Sequence, residues 1–187
     1  FLAKIPTEAF QWGIIPIAIT ISSGICVIYF LLKKIFTPTH AFLAAVFIAL
    51  DPFSLTHSKT IHLDATLAII MAISALCLIY SLKSGNTRYH TASGIFCGLA
   101  FLTKQPGFFL IPFTILTLLI FQREKIHSLK DLFREVVKPF FVWISLALVV
   151  FIALFPAMWV TPLEVIRKMF LRGLGYATTP HPYPLYF

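Results

Sequence analysis

From Ile14 to Leu32 the chain runs 19 residues without a charged side chain, and from Pro139 to Val160 it runs 22. Leu63 to Leu82 is nearly the same, interrupted only by Asp64 at its start. A helix rises about 1.5 Å per residue, so about 20 residues cross the ~30 Å hydrocarbon layer of a bilayer. Blocks of this length and purity call for lipid as their solvent. Composition agrees: 59% of residues are hydrophobic and 12% charged, against about 45–50% and about 25% in a soluble domain. With 15 basic and 7 acidic side chains, a soluble fold could not cover its surface with charge. A soluble enzyme, a disordered tail and a disulfide scaffold are excluded. Cys26, Cys77 and Cys97 all sit inside apolar runs and read as small core residues. The expected class is an all-α polytopic membrane protein.

Six apolar segments can be laid out, at about 14–32, 41–56, 63–82, 92–104, 107–121 and 139–160. The first, third and sixth are full-length spans. The second, fourth and fifth are short, and short polar-ended segments tend to line a cavity inside a membrane protein. Residues 1–13 read as the end of an outer loop. The chain starts without Met and without a signal-peptide pattern, so it is expected to be an internal piece of a longer protein.

Lysine and arginine set the orientation. With the first segment running inward, Lys33, Lys34, Lys83, Arg88, Arg123, Lys125, Lys130, Arg134 and Lys138 fall inside, nine of the fifteen basic residues. The expected location is the plasma membrane with the active face outward. The net charge of +8 needs no nucleic acid, since basic inner loops facing anionic lipid account for much of it. After Val160 the pattern changes. Thr161-Pro162-Leu163-Glu164 has the form of a capping box, and Leu163, Ile166, Phe170 and Leu174 follow at helical spacing. Residues 161–187 therefore read as an amphipathic helix in the outer interface, ending near Gly173 and Gly175, and the start of a proline-rich loop.

Ionisable groups at membrane segments are functional candidates, because their burial is costly. Asp64 opens the third segment and Lys104 lies at the turn between two short ones, below headgroup level if both are short. Such a lysine needs an anion, either a carboxylate or a ligand phosphate. An Asp64–Lys104 pair that merely ties helices together is the plainer alternative. Lys59 is a second cation on the same side. His57, His62 and Asp64 could be drawn as metal ligands, but their spacing matches no strong metal motif, and a divalent metal is not supported by the sequence.

Asp51-Pro52, Ser58-Lys59 and then Asp64 opening a helix resemble the polyprenyl-phosphate-sugar-dependent glycosyltransferases, which include the protein O-mannosyltransferases and the lipid A aminoarabinose transferases. Gly98-Leu99-Ala100-Phe101-Leu102-Thr103-Lys104 with Pro106-Gly107 looks like their hallmark turn, and Phe155 to Pro162 like the segment before their outer amphipathic helix. The tail His181-Pro182-Tyr183-Pro184 is similar to their following loop. The resemblance implies a helical bundle of the GT-C type with about six membrane segments and an outer interfacial helix. It implies an inverting hexosyl- or pentosyl-transferase that passes a sugar, hexose or mannose-like, from a polyprenyl-phosphate carrier to a protein, lipid or glycan acceptor. Lys59 and Lys104 match basic residues near the phosphate, and Asp64 an acid at a helix start. His62 and His181 complete the implied substrate-binding set. The family's catalytic acid lies upstream of residue 1, and nothing around Glu8 matches its motif, so the 187 residues alone should be inactive. No cofactor is implied. Lys59 stands where many members carry Arg, which weakens any case for bidentate phosphate binding. The rival readings are a transporter or flippase that uses an Asp64–Lys104 pair, and a non-catalytic membrane subunit.

Overall fold

A computed structural model describes residues 7–52, 56 and 63–178. Among these residues there is no strand. The main helices are α1 (Thr7–Ile35), α2 (Pro38–Leu50), α3 (Asp64–Ser84), α4 (Thr87–Thr103), α5 (Leu110–Gln122), α6 (Lys138–Leu154) and α7 (Pro162–Thr178). Local chemistry sets most boundaries. Pro38 enters α2 after the extended Thr37, where a missing N–H costs nothing. Gly85 ends α3 at φ 70°, and its N–H donates to Ser81 O at 2.8 Å. The Asn86 side chain then accepts the Arg88 N–H at 3.0 Å and opens α4.

Four helical stretches are long and apolar enough to cross a membrane: Trp12–Ile35, Asp64–Ser84, Gln105–Lys125 and Leu129–Leu154. The fifth apolar segment is therefore not short. 3₁₀ turns at Gln105–Phe109 and Arg123–Lys125 extend α5 at both ends to a 21-residue stretch. The sixth begins earlier than its apolar core, through a short helix at Leu129–Leu132 and a π-helical turn at Phe133–Val137. It stops at Leu154, and Ala157–Val160 forms a separate turn. The helix α2, with 13 residues, and α4, with 17, are the shorter members. The fourth starts at Thr87 rather than 92, because Arg88 and His90 are carried inside its first turn. The amphipathic α7 runs from Pro162 through Gly173 and Gly175, where the sequence suggested a helix end, to Thr178.

The helices pack as a row, α2–α1–α3–α4–α6, with α5 against α3 and α6. One buried cluster joins α1, α2 and α3 through Ile28, Leu31, Ala41, Ile69 and Cys77. Another joins α3, α4, α5 and α6 through Leu67, Cys97, Phe101, Leu110, Trp143 and Ala147. The outside of the row is apolar too: Phe30, Phe47, Ile120 and Val149 are all more than half exposed. A surface of this kind suits hydrocarbon and not water. The chain is an all-α polytopic membrane protein.

A polar bridge crosses the second cluster. The Trp143 Nε1–H donates to Ser93 Oγ at 2.9 Å, and Ser74 Oγ donates to Ser93 O at 2.8 Å, all three side chains being buried. Ser93→Ala removes the acceptor and strands the indole N–H. It is expected to lower stability by about 1–2 kcal/mol, read as a shift of the unfolding midpoint in detergent micelles. An unchanged midpoint would show that the indole N–H finds another acceptor.

Candidate functional site

Two helix ends build the site. Asp64 is the first residue of α3, and Lys104 caps α4 in an extended conformation (φ −166°, ψ 155°). The Lys104 Nζ donates to Asp64 Oδ1 at 2.5 Å across 40 residues of sequence. The side chains are 45% and 30% exposed respectively, so the pair is partly open and is not sealed in the core. Lys104 stands at the end of α4, and the stretch that follows it is full length and not short.

The turn after Lys104 is tightly folded. The Gly107 N–H donates to Lys104 O at 3.0 Å, and Pro106 starts the 3₁₀ turn. A Cβ on Gly107 would lie 2.7 Å from Ala100 O, so only glycine lets this turn fold back onto α4. Beside Lys104, the Gln105 amide Nε2 donates to Met169 O at 3.3 Å and ties α7 to the turn. Under that contact lies a cavity of about 720 Å³ between α4, α5, α6 and α7. Its walls are almost wholly apolar and include Phe101, Phe108, Phe151, Ile152, Ile166 and Met169, with Gln105 at the rim. The Phe101 and Phe108 rings pack at 4.6 Å between centroids. A cation one residue before Gln105, in the lining of an apolar slot, is chemically suited to an amphiphile with an anionic head.

α7 presents Ile166 and Met169 to this slot, whereas Leu163 is 82% exposed. On its solvated side Glu164 accepts from Lys168 Nζ at 2.7 Å, and this bond holds the Glu164 carboxyl below the usual carboxylate range. Neither Gln105 nor the apolar slot was singled out from the sequence, although Gln105 sits inside the conspicuous Lys104–Gly107 turn. Of the sequence candidates, the structure brings Asp64 and Lys104 together. Lys59, His62 and His181 lie outside the described residues, as does His57. Among the described residues there is no group of three or more His, Cys, Asp or Glu side chains that could hold a metal.

The sequence profile of the dolichyl-phosphate-mannose-protein mannosyltransferases matches residues 1–159. The chain belongs to this mannosyltransferase family. It is also similar to YycA of Bacillus subtilis (strain 168), a mannosyltransferase by name, at 30% identity over 121 residues. That match covers 62% of this chain but 18% of the relative, so the chain spans a minor part of the length of the protein it matches. No solved structure matches it. The matched region of the mannosyltransferase family contains Asp64, Lys104 and most of the slot, while α7 begins just beyond it. Family and fold together make this a membrane-embedded chain of the mannosyltransferase family.

Proposed function

We propose that the chain is part of an enzyme that moves a mannose-like hexose from a polyprenyl-phosphate carrier to a protein, lipid or glycan acceptor at the outward face of the plasma membrane. The observation that carries this reading is the Lys104 ammonium, held by Asp64, one residue before Gln105 in the lining of the apolar slot. The carrier's phosphate faces Lys104 and its first prenyl units enter between Phe101, Phe108 and Phe151. The reaction is a single displacement with inversion. The acceptor oxygen attacks the anomeric carbon, the bond from that carbon to the phosphate oxygen breaks, and the lipid phosphate leaves with the electron pair. The hydroxyl proton passes to a carboxylate outside residues 1–187. Lys104, joined by Lys59, offsets the charge that grows on the phosphate, and a cation already held in place does so with little reorganisation. Asp64 orients Lys104; His62 and His181 contact the sugar or acceptor. Transport through an ion-coupled Asp64–Lys104 pair is disfavoured, because both groups sit at helix ends instead of mid-span.

The test is donor choice. Full-length protein in liposomes is given radiolabelled mannose on a polyprenyl phosphate, on a carrier shortened to one prenyl unit, as mannose 1-phosphate, or as a nucleotide sugar. Transfer is expected from the long carrier, with KM rising as prenyl units are removed. Equal use of the water-soluble donors would sink the reading.

A further inference from the structure

The end of the bundle remote from Lys104 carries a second cluster of charge. There α1 ends at Lys33 and Lys34, α3 ends at Lys83, and α4 begins with Thr87 and Arg88. The Lys34 Nζ donates to the Tyr89 hydroxyl. It also lies over two aromatic rings, 4.6 Å from the Tyr89 centroid and 5.3 Å from that of Tyr80. Those two rings meet edge to face at 4.6 Å. The Lys83 Nζ lies 5.9 Å from the Phe36 ring. Lys33, Lys34, Lys83 and Arg88 are all exposed, while Tyr80 and Tyr89 are half-buried between the helices.

Among the described residues, no counter-charge is paired with this corner. Among the described residues none of the four cations has a carboxylate partner, whereas Asp64 and Glu164 are paired at the other end. The carboxylates of the neighbouring connection are also taken. Glu124 lies against Arg123, and Asp131 and Glu135 lie against Arg134. The Lys34–Tyr89 contact makes this more than a diffuse basic face. The phenol oxygen accepts from the ammonium, so its own O–H is left to donate outward, and the ammonium keeps two further N–H groups. An anion there meets a preset ammonium and a phenol O–H, with Lys83 and Arg88 as flanking charges. Half-buried tyrosines beside lysines at the ends of lipid-facing helices mark headgroup depth.

We propose that Lys34, Lys83, Arg88 and Tyr89 form a discrete site for the phosphodiester headgroup of one anionic glycerophospholipid in the leaflet opposite Lys104. The site is independent of the sugar-transfer reading. It is tested by native mass spectrometry on the delipidated full-length protein, titrated with dioleoylphosphatidylglycerol or dioleoylphosphatidylcholine. One phosphatidylglycerol is expected to bind with a half-saturation about tenfold below that of phosphatidylcholine, roughly the gain from one or two basic contacts. The K83Q/R88Q variant should lose that preference. Tyr89→Phe, which keeps the ring and drops the O–H donor, should weaken phosphatidylglycerol several-fold. The K125Q/K130Q variant, which removes as much charge from the same end, should bind like wild type. Equal binding of the two lipids by the wild type would overturn the proposal. So would an equal loss in K125Q/K130Q, which would mean diffuse attraction, or full competition by free glycerol 3-phosphate, which would mean a soluble anion.

Discussion

On the proposed function, Lys104→Ala in the full-length protein is expected to lower kcat/KM for transfer from a polyprenyl-phosphate sugar by about 10²- to 10³-fold, the usual effect of deleting one preorganised group facing a developing anion. Stability should hardly change. The Lys104–Asp64 pair is 45% and 30% exposed, and ion pairs this open contribute about 0–1 kcal/mol. Activity and Tm should therefore separate, which a merely structural tie between α3 and α4 would not allow. Asp64→Asn leaves the ammonium its charge and removes only the partner that orients it, so a loss of about tenfold is expected. The double variant should be no worse than Lys104→Ala alone, because a residue that acts through lysine has nothing left to act on. Lys104→Arg should recover part of the rate, since the charge survives but a planar fork replaces a compact ammonium. If a correctly folded Lys104→Ala enzyme works within about threefold of wild type, lysine has no place at the phosphate.

Membrane segments were legible in the sequence wherever apolar runs stood between charges. The span opened by Asp64 was placed to within a residue or two at each end. Segments with polar residues in their terminal turns were not. Arg88 and His90 hid the start of α4, and Gln105 and Arg123 hid both ends of the stretch around α5. A hydropathy reading counts such residues as loop, yet at headgroup depth their side chains reach water while the backbone stays helical. Asp64 and Lys104 could be paired from sequence, because antiparallel neighbours of known length bring their ends together. Neither Gln105 nor the slot could be found that way. Both depend on α7 folding back 64 residues later, a contact made through the Met169 carbonyl, which carries no sequence signature. The far-end arrangement of Lys34 and Tyr89 was likewise invisible, since a contact across 55 residues leaves no local pattern.

Gly98→Val is expected to be the most damaging substitution for the fold. A Cβ at Gly98 would lie 2.5 Å from Ala147 O and 2.7 Å from Val150 Cβ. The first of these is backbone of α6, which cannot rotate out of the way as a side-chain tip can. Gly94 stands one turn earlier, with Trp143 O at 2.9 Å, so the two glycines form the Gly-x-x-x-Gly surface that lets membrane helices touch through their backbones. Pushing α4 off α6 should cost about 3 kcal/mol, the upper end of overpacking penalties. It should also reach the site, because α4 carries Phe101 and Lys104 just beyond Gly98 and α6 carries Phe151 and Ile152 on the facing wall of the slot. Gly98→Val should therefore lose stability and transfer together, where Lys104→Ala loses transfer alone. Gly85→Ala makes the comparison. It meets open space and pays only for its positive φ of 70°, about 1 kcal/mol, at the end of the bundle remote from Lys104, and transfer should survive. The unfolding midpoints of the three proteins in micelles, measured beside their transfer rates, decide the matter. A Gly98→Val protein as stable as Gly85→Ala would mean that α4 and α6 do not approach this closely.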